Sequence, residues 1–254
     1  MILAVDVGNT NIVLGTIENG EIRNIVRVHT DLRATAAEYA LKLDQLLQFY
    51  QVDRGGFEGA ILSSVVPPVT EALRLAIGQV TGLSCIVVGP GMKTGMNVRI
   101  DDPGTLGYDL VVGGVAAIRY YGPPLIVADL GTATTVTAID ELGNFRGGAI
   151  LPGLKLSYQA LSAGTSLLPD IAIAAPKKVV ATNTVDCMRS GAVYGTAAML
   201  DGLIDRMEEE LGTPCTCVAT GGLAAAIVPY CRRRIICDDD LLLKGLWVLY
   251  EKNR

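Results

Sequence analysis

The chain has 254 residues, a formal net charge of −5 and a hydrophobic fraction of 50%, with an isoelectric point near 5.0. This acidic balance argues against a nucleic-acid-binding surface, which draws on clustered Lys and Arg, and charges or Gly and Pro interrupt every apolar run before it reaches bilayer-spanning length. The only histidine is His29, which excludes Ser-His and Cys-His catalysis unless it serves alone, so general-base work falls to carboxylates.

In chain order, residues 2–7 form an apolar run that predicts a buried strand and ends by presenting Asp6. Val7, Gly8, Asn9, Thr10 and Asn11 follow as a short polar turn, and the chain resumes through Ile12 and Val13 as a returning strand over 12–17. Gly8 lets the backbone approach a ligand closely, and the short polar side chains stand beside exposed N–H groups, a pattern suited to cradling phosphate. The same pattern also fits a hairpin whose Asp and Asn satisfy their own turn. A third strand over 21–28, a helix over 34–50 with Tyr39, Leu43, Leu46, Leu47 and Tyr50 on its core face, a strand over 59–66 stopped by Pro67 and Pro68, a helix over 69–80 and a strand over 84–88 complete a β-β-β-α-β-α-β order. That alternation predicts a mixed sheet with helices against it.

A Gly-rich connection over 89–103 leads into Gly107, Tyr108, Asp109 and Leu110, where a helix over 108–121, expected to join two lobes, begins. Asp109 falls at its start among apolar neighbours, as either a helix cap or a working carboxylate. The second half repeats the plan. Residues 125–130 carry Asp129 to Gly131 and a hydroxyl-rich turn with Thr132, hairpin strands run to 150 with Gly143-Asn144 as their turn, and a helix spans 154–163. Residues 147–153 are rich enough in glycine to imply close approach of a ligand or of neighbouring backbone. A long helix is expected from Asn183 or Thr184 to 211, then a strand and a Gly-Gly turn over 217–224, which can admit a nucleotide base, ribose or phosphate against bare backbone, and a closing helix over 239–250. The repeat implies two similar lobes, divided as 1–117 and 118–254.

The N-terminus lacks a basic leader and reaches Asp6 at once, so a cytoplasmic protein is expected. Six cysteines then read as reduced, buried small hydrophobes; Cys215, Cys217, Cys231 and Cys237 could hold zinc, but without paired C-x-x-C knuckles. Arg232, Arg233 and Arg234 read as a solvated surface.

Two Asp-Gly-polar turns and a Gly-Gly turn suit nucleoside triphosphate binding, and neither a P-loop nor a G-x-G-x-x-G signature is present. The sequence resembles the acetate/sugar kinase, heat-shock ATPase and actin superfamily. Asp6 to Asn11, Gly107 to Leu110, residues 129–135, 148–153, 183–191 and 219–224 together are similar to type III pantothenate kinases, in order along essentially the whole chain.

The resemblance implies an α/β fold of two similar ribonuclease-H-like lobes, each a mixed β-sheet flanked by helices, with the nucleotide cleft between them. It implies ATP-dependent phosphorylation of the primary hydroxyl of pantothenate, the first step of coenzyme A biosynthesis. Asp6, Val7, Gly8, Asn9, Thr10, Asn11, Ile12, Val13 and Thr132 would bind ATP, with Asp6 toward Mg2+. Asp109 would be the catalytic base, Gly107, Tyr108, Asp109, Leu110 and Thr184 would bind pantothenate, and Asp129 would ligate a monovalent cation, K+ or NH4+. A cytoplasmic homodimer is implied, with neither nucleic acid nor membrane as partner. Where the family usually has Gly-Ala-Asp-Arg, this chain has Tyr108 and Leu110 around Asp109, and Ile100 and Asp102-Pro103 replace an upstream Tyr and Asn-Pro. No guanidinium flanks the base, which leaves open a kinase for another small hydroxylated acceptor, or a non-catalytic nucleotide-binding regulator.

Overall fold

Strand β1 (Ile2–Val7) is buried at every residue, as a run of Ile, Leu, Val and Ala must be at the centre of a sheet covered on both faces. The structure is a computed structural model that describes residues 1–254. β1 pairs antiparallel with β2 (Asn11–Glu18), which pairs antiparallel with β3 (Glu21–His29). Helix α1 (Ala36–Phe49) is opened by Thr35, which forms a capping box with Glu38, and it buries Tyr39, Leu43 and Leu47. Tyr50, expected on that core face, is instead the C-cap residue and is 42% exposed.

β4 (Gly59–Ser64) returns parallel to β1. Pro67 and Pro68 do more than stop it: they open α2 (Pro67–Thr81), in the first turn, where a missing N–H leaves no bond unmade. β5 (Cys85–Val87) completes a five-stranded sheet of order β3-β2-β1-β4-β5. Leu3, Val5, Val7, Ile12 and Leu62 share one core with Tyr39, Leu43, Leu73 and Ile77 of α1 and α2.

A second sheet runs, edge to edge, through residues 235–237, 216–220, 125–130, 133–139, 144–152 and 97–98. β6 (Asn97–Val98) comes from the Gly-rich connection and pairs with residues 144–145. After α3 (Tyr108–Tyr121), β7 (Leu125–Leu130), β8 (Ala133–Ile139) and β9 (Asn144–Pro152) form an antiparallel meander. α4 (Leu154–Ala163) follows. The long helix expected to reach residue 211 is divided into α5 (Thr184–Ser190) and α6 (Thr196–Leu211) by a π turn at Gly191–Gly195. Asn183 is the cap of α5, accepting from the Asp186 N–H at 2.9 Å. β10 (Thr216–Thr220), the short α7 (Ala224–Ile227), β11 (Ile235–Cys237) and α8 (Leu241–Asn253) end the chain. The second core gathers Ile126, Ala128, Val136, Leu200, Ile204 and Ala219.

The compact units are Met1–Met96 with Asp102–Arg119 and Leu241–Arg254, and Asn97–Asp101 with Tyr120–Asp240. Beside the expected division into 1–117 and 118–254, these units place α8 with the first and residues 97–101 with the second. Its Leu243, Leu246, Leu249 and Tyr250 are buried, Leu243 meets Gly15 and Tyr250 meets Gly59, and the Tyr250 hydroxyl donates to the Glu58 carbonyl at 3.3 Å. Gly15 pairs with Ala4, and Gly59 with Ile2. By the two-residue period of a strand, Asp6 and Ser63 therefore lie on the α8 side of the sheet.

All six cysteines are free thiols. Burial pushes the Cys85 and Cys231 thiols up to about 12 and Cys217 to about 11, which keeps them protonated and inert. Cys187 and Cys237 depart from the expectation of burial and are exposed. No helix is long and apolar enough to cross a membrane.

Candidate active site

In the first unit, β1 delivers Asp6 to the end of a buried strand, where it is 7% exposed. Asp6 stands in register with Val13 on β2 and with Ser63 on β4. The turn that follows is held by main chain and by Thr30: the Gly8 N–H donates to the Asn11 carbonyl at 3.0 Å, the Thr30 hydroxyl to the Gly8 carbonyl at 2.6 Å, and the Thr30 N–H to the Thr10 carbonyl at 3.0 Å. Asn9 and Thr10 are exposed at its tip, Asn11 and Val13 are half-buried, and the Val7 and Ile12 side chains belong to the core. Val7 and Ile12 can therefore offer a ligand only their main chain.

Ser63 is fully buried and its hydroxyl has no hydrogen-bond partner. Leaving such a group unpaired costs about 1–3 kcal/mol, so it requires an explanation. Sequence reading passed over it, because a Ser inside an apolar strand carries no motif.

The other candidate carboxylate of this unit, Asp109, is the second residue of α3. Its Oδ1 accepts from the Leu110 N–H at 2.8 Å, while Leu110 and Val111 also donate to the Gly107 carbonyl at 3.1 and 3.2 Å to close the first helical turn. Tyr108, Asp109 and Leu110 are all half-buried. Burial pushes the Asp109 carboxyl above its ordinary value, opposed by its hydrogen bonds to the Leu110 and Asp109 main chain. The result is a fixed carboxylate that is more basic than a solvated one. Gly107 makes this placement possible, since a Cβ there would stand 2.5 Å from Asp109 Oδ1.

In the second unit, Asp129 and Thr132 occupy one turn. Asp129 is half-buried and Thr132 exposed; the Gly131 N–H donates to the Ala133 carbonyl and the Gly153 N–H to the Thr132 carbonyl, both at 3.1 Å. Gly221 adopts φ +92°, and a Cβ on it would overlap Asp129 Oδ1 and the Leu130 main chain. Gly148, Gly153 and Gly221 therefore serve close approach of neighbouring backbone. Gly148 lies against Val136 and Gly153 against Thr132. Thr184 is exposed as the first residue of α5. A cavity of about 350 Å³ in this unit is lined by Lys155, Tyr158, Gln159, Asp170, Ile173 and Leu223.

Nowhere do three or more His, Cys, Asp or Glu side chains gather as a metal cluster. Mg2+ characteristically uses one or two carboxylates together with water and substrate phosphates. A single buried Asp6 beside an orphaned hydroxyl fits such an ion, and the half-buried Asp129, close against the main chain of Gly221, fits a cation held in part by main-chain oxygen.

A model of the family described as type III pantothenate kinase matches residues 2–206. The type III pantothenate kinase of Moorella thermoacetica is 44% identical over 255 residues, covering 100% of both chains. That of Bacillus cytotoxicus is 42% identical over 253 residues, covering 100% of this chain and 97% of the relative. Two solved structures show the fold alone. The inorganic polyphosphate/ATP-glucomannokinase of Arthrobacter sp. strain KM matches with a TM-score of 0.53 at 16% identity, over 99% of each chain. Component A of the (R)-2-hydroxyglutaryl-CoA dehydratase of Acidaminococcus fermentans matches with a TM-score of 0.58 at 14% identity, over 98% of this chain and 96% of that one. By the extent of the family match and the identity to full-length relatives, the chain belongs to the type III pantothenate kinase family.

Proposed function

We propose that the protein transfers the γ-phosphoryl group of ATP to the primary hydroxyl of pantothenate, the first step of coenzyme A biosynthesis. The observation that carries this reading beyond family membership is the placement of Asp109, fixed at a helix start, folded over Gly107 and made more basic by burial. Phosphoryl transfer asks a protein chiefly for positioning and charge, with a residue to orient the acceptor hydroxyl. Asp109 accepts that hydroxyl's proton as the oxygen–phosphorus bond forms; Gly107, Tyr108 and Leu110 line the acceptor side of the first unit, and Thr184 is a pantothenate contact of the second. The turn from Asp6 to Val13 binds the ATP phosphates, and in the second unit Thr132 is an ATP contact. The cavity beside Lys155 and Leu223 takes the nucleoside end.

Asp6 is the protein ligand for Mg2+, which when bound supplies positive charge against the transferring phosphoryl oxygens. Asp129 holds a monovalent cation, K+ or NH4+, which adds to that charge. The active form is a cytoplasmic homodimer; exposed Ile150, Leu156, Leu167 and Val180 supply apolar surface for a second copy.

One observation favours a second acceptor. Leu110 contributes a main-chain N–H to Asp109 where the family usually places an Arg, so no guanidinium stands there to hold a carboxylate or phosphate. Mass spectrometry of products from pantothenate and a panel of small alcohols decides between them. Phosphopantothenate as the dominant product is expected. A faster-phosphorylated alcohol would move the assignment to that acceptor.

A further inference from the structure

Ser63 is a buried polar group of the first unit that the reaction above leaves unused. It has 0% exposure and no hydrogen-bond partner. Its neighbour is already accounted for: the Ser64 hydroxyl accepts from the Val66 N–H at 3.0 Å and from the Thr70 hydroxyl at 2.8 Å, tying β4 to the start of α2. Ser63 makes no such tie. As a packing residue it is a poor choice, because Ala would fill the strand without burying an unpaired hydroxyl.

What Ser63 has is Asp6. The two are Cα partners across the parallel β1–β4 pair, and partners on adjacent strands share a face at roughly 4.8 Å. Both lie on the α8 side, by the contacts of Gly15 with Leu243 and Gly59 with Tyr250. Rotation about one side-chain bond carries the Ser63 hydroxyl toward the Asp6 carboxylate. An ionised carboxylate offers about four acceptor lone pairs, so Asp6 can receive this hydroxyl and a cation alongside its other contacts.

We propose that Ser63 is a positioning residue for metal–nucleotide binding, its hydroxyl donating to the Asp6 carboxylate when the divalent cation and triphosphate are seated. The inference rests on the assignment of Asp6 to magnesium. It gives Ser63 a cost in the ligand-free protein and a use in the loaded one.

The test compares wild type, Ser63→Ala and Ser63→Thr as full chains, without acceptor. Calorimetry measures binding of β,γ-methylene ATP with magnesium and in EDTA, and thermal melts follow the ligand-free proteins. Ser63→Ala is expected to bind the magnesium complex about tenfold more weakly, bind the metal-free nucleotide as wild type does, and melt no lower than wild type. Ser63→Thr, which keeps the hydroxyl, is expected to restore the magnesium effect. A Ser63→Ala protein that melts lower or fails to fold, or whose magnesium enhancement equals that of wild type, overturns the proposal. Failure of the pantothenate reading leaves these measurements untouched, whereas a wild type with no magnesium enhancement removes both the Asp6 assignment and this inference.

Discussion

Substituting Ala for Gly107 moves the proposed base without touching its chemistry. A Cβ at that position would lie 2.5 Å from Asp109 Oδ1, and ordinary contact begins at 3.4 Å, so the carboxylate must retreat by 3.4 − 2.5 = 0.9 Å. The backbone imposes no further penalty, since Gly107 is outside the left-handed region. The group that yields is the end of a short side chain, so the stability cost is about 1 kcal/mol, or a fall in Tm of about 2–4 °C for a chain of this size. Misplacing a catalytic group by about 1 Å costs on the order of 100-fold in rate, equivalent to about 2.7 kcal/mol of transition-state stabilisation. A coupled ADP-release assay with saturating pantothenate is therefore expected to show kcat down about 100-fold, with the Kd for Mg·ATP unchanged by calorimetry. A kcat within roughly threefold of wild type would refute the reasoning, because the chemistry would not depend on where Oδ1 stands.

Because burial raises the Asp109 carboxyl and a base must be ionised to act, kcat is expected to fall as pH drops through that raised value; a pH–rate profile with its acid limb at an ordinary carboxylate value of about 4 would contradict this. The stability sign is opposite to that of a salt-bridged Asp: the folded state holds the proton more tightly than the unfolded chain, so the penalty is present above the folded value and vanishes below the unfolded one. Asp109→Asn is thus expected to melt at or above wild type near neutral pH, and a lower Tm there would oppose the desolvation argument. Asp129→Ala is expected to abolish activation by potassium, read as the ratio of rates with and without the ion; full rate in potassium-free buffer would remove the cation assignment. Thr35→Ala breaks the capping box of α1, far in sequence from the proposed base; a loss of about 1 kcal/mol with kcat unchanged is the expected result in paired melts and rate assays.

The parts of the fold that could be read from sequence are those with a local signal. The run from Ile2 to Val7 could only be a buried strand, and the polar turn at Gly8 to Thr10 appears in the structure as a hairpin connection. Asp109 was visible as a carboxylate at a helix start among apolar residues, and it occupies that position in α3. What escaped depends on tertiary contact. The amphipathic pattern of α8 announces a packed helix but not its partner, and only Leu243 against Gly15 and Tyr250 against Gly59 assign it to the first unit. The π turn at Gly191–Gly195 interrupts a helix whose local propensities run through it. Gly221 reads as a ligand-binding glycine, yet its bare Cα is demanded by Asp129 and Leu130 of the neighbouring strand. Ser63 has no local signature at all: its interest comes from burial, a missing partner and the register with Asp6.

The structure also separates the conventional side of the chemistry from the divergent one. Both Asp-Gly turns are held by hydrogen bonds within their own units, whereas Asp109 has Tyr108 and Leu110 as its chain neighbours and accepts from the Leu110 N–H. Acceptor recognition is therefore where this chain is expected to differ from relatives that carry an Arg. The loss of that cation should weaken binding of an anionic acceptor more than it slows proton transfer.

The most direct test of the central claim is ADP release by the purified protein with ATP, magnesium and potassium, with and without pantothenate, in wild type and Asp109→Asn. Pantothenate-stimulated release in wild type that falls by about 10²–10⁴-fold in the mutant is the predicted result. Equal release by the two proteins, or none stimulated by pantothenate, would contradict the account.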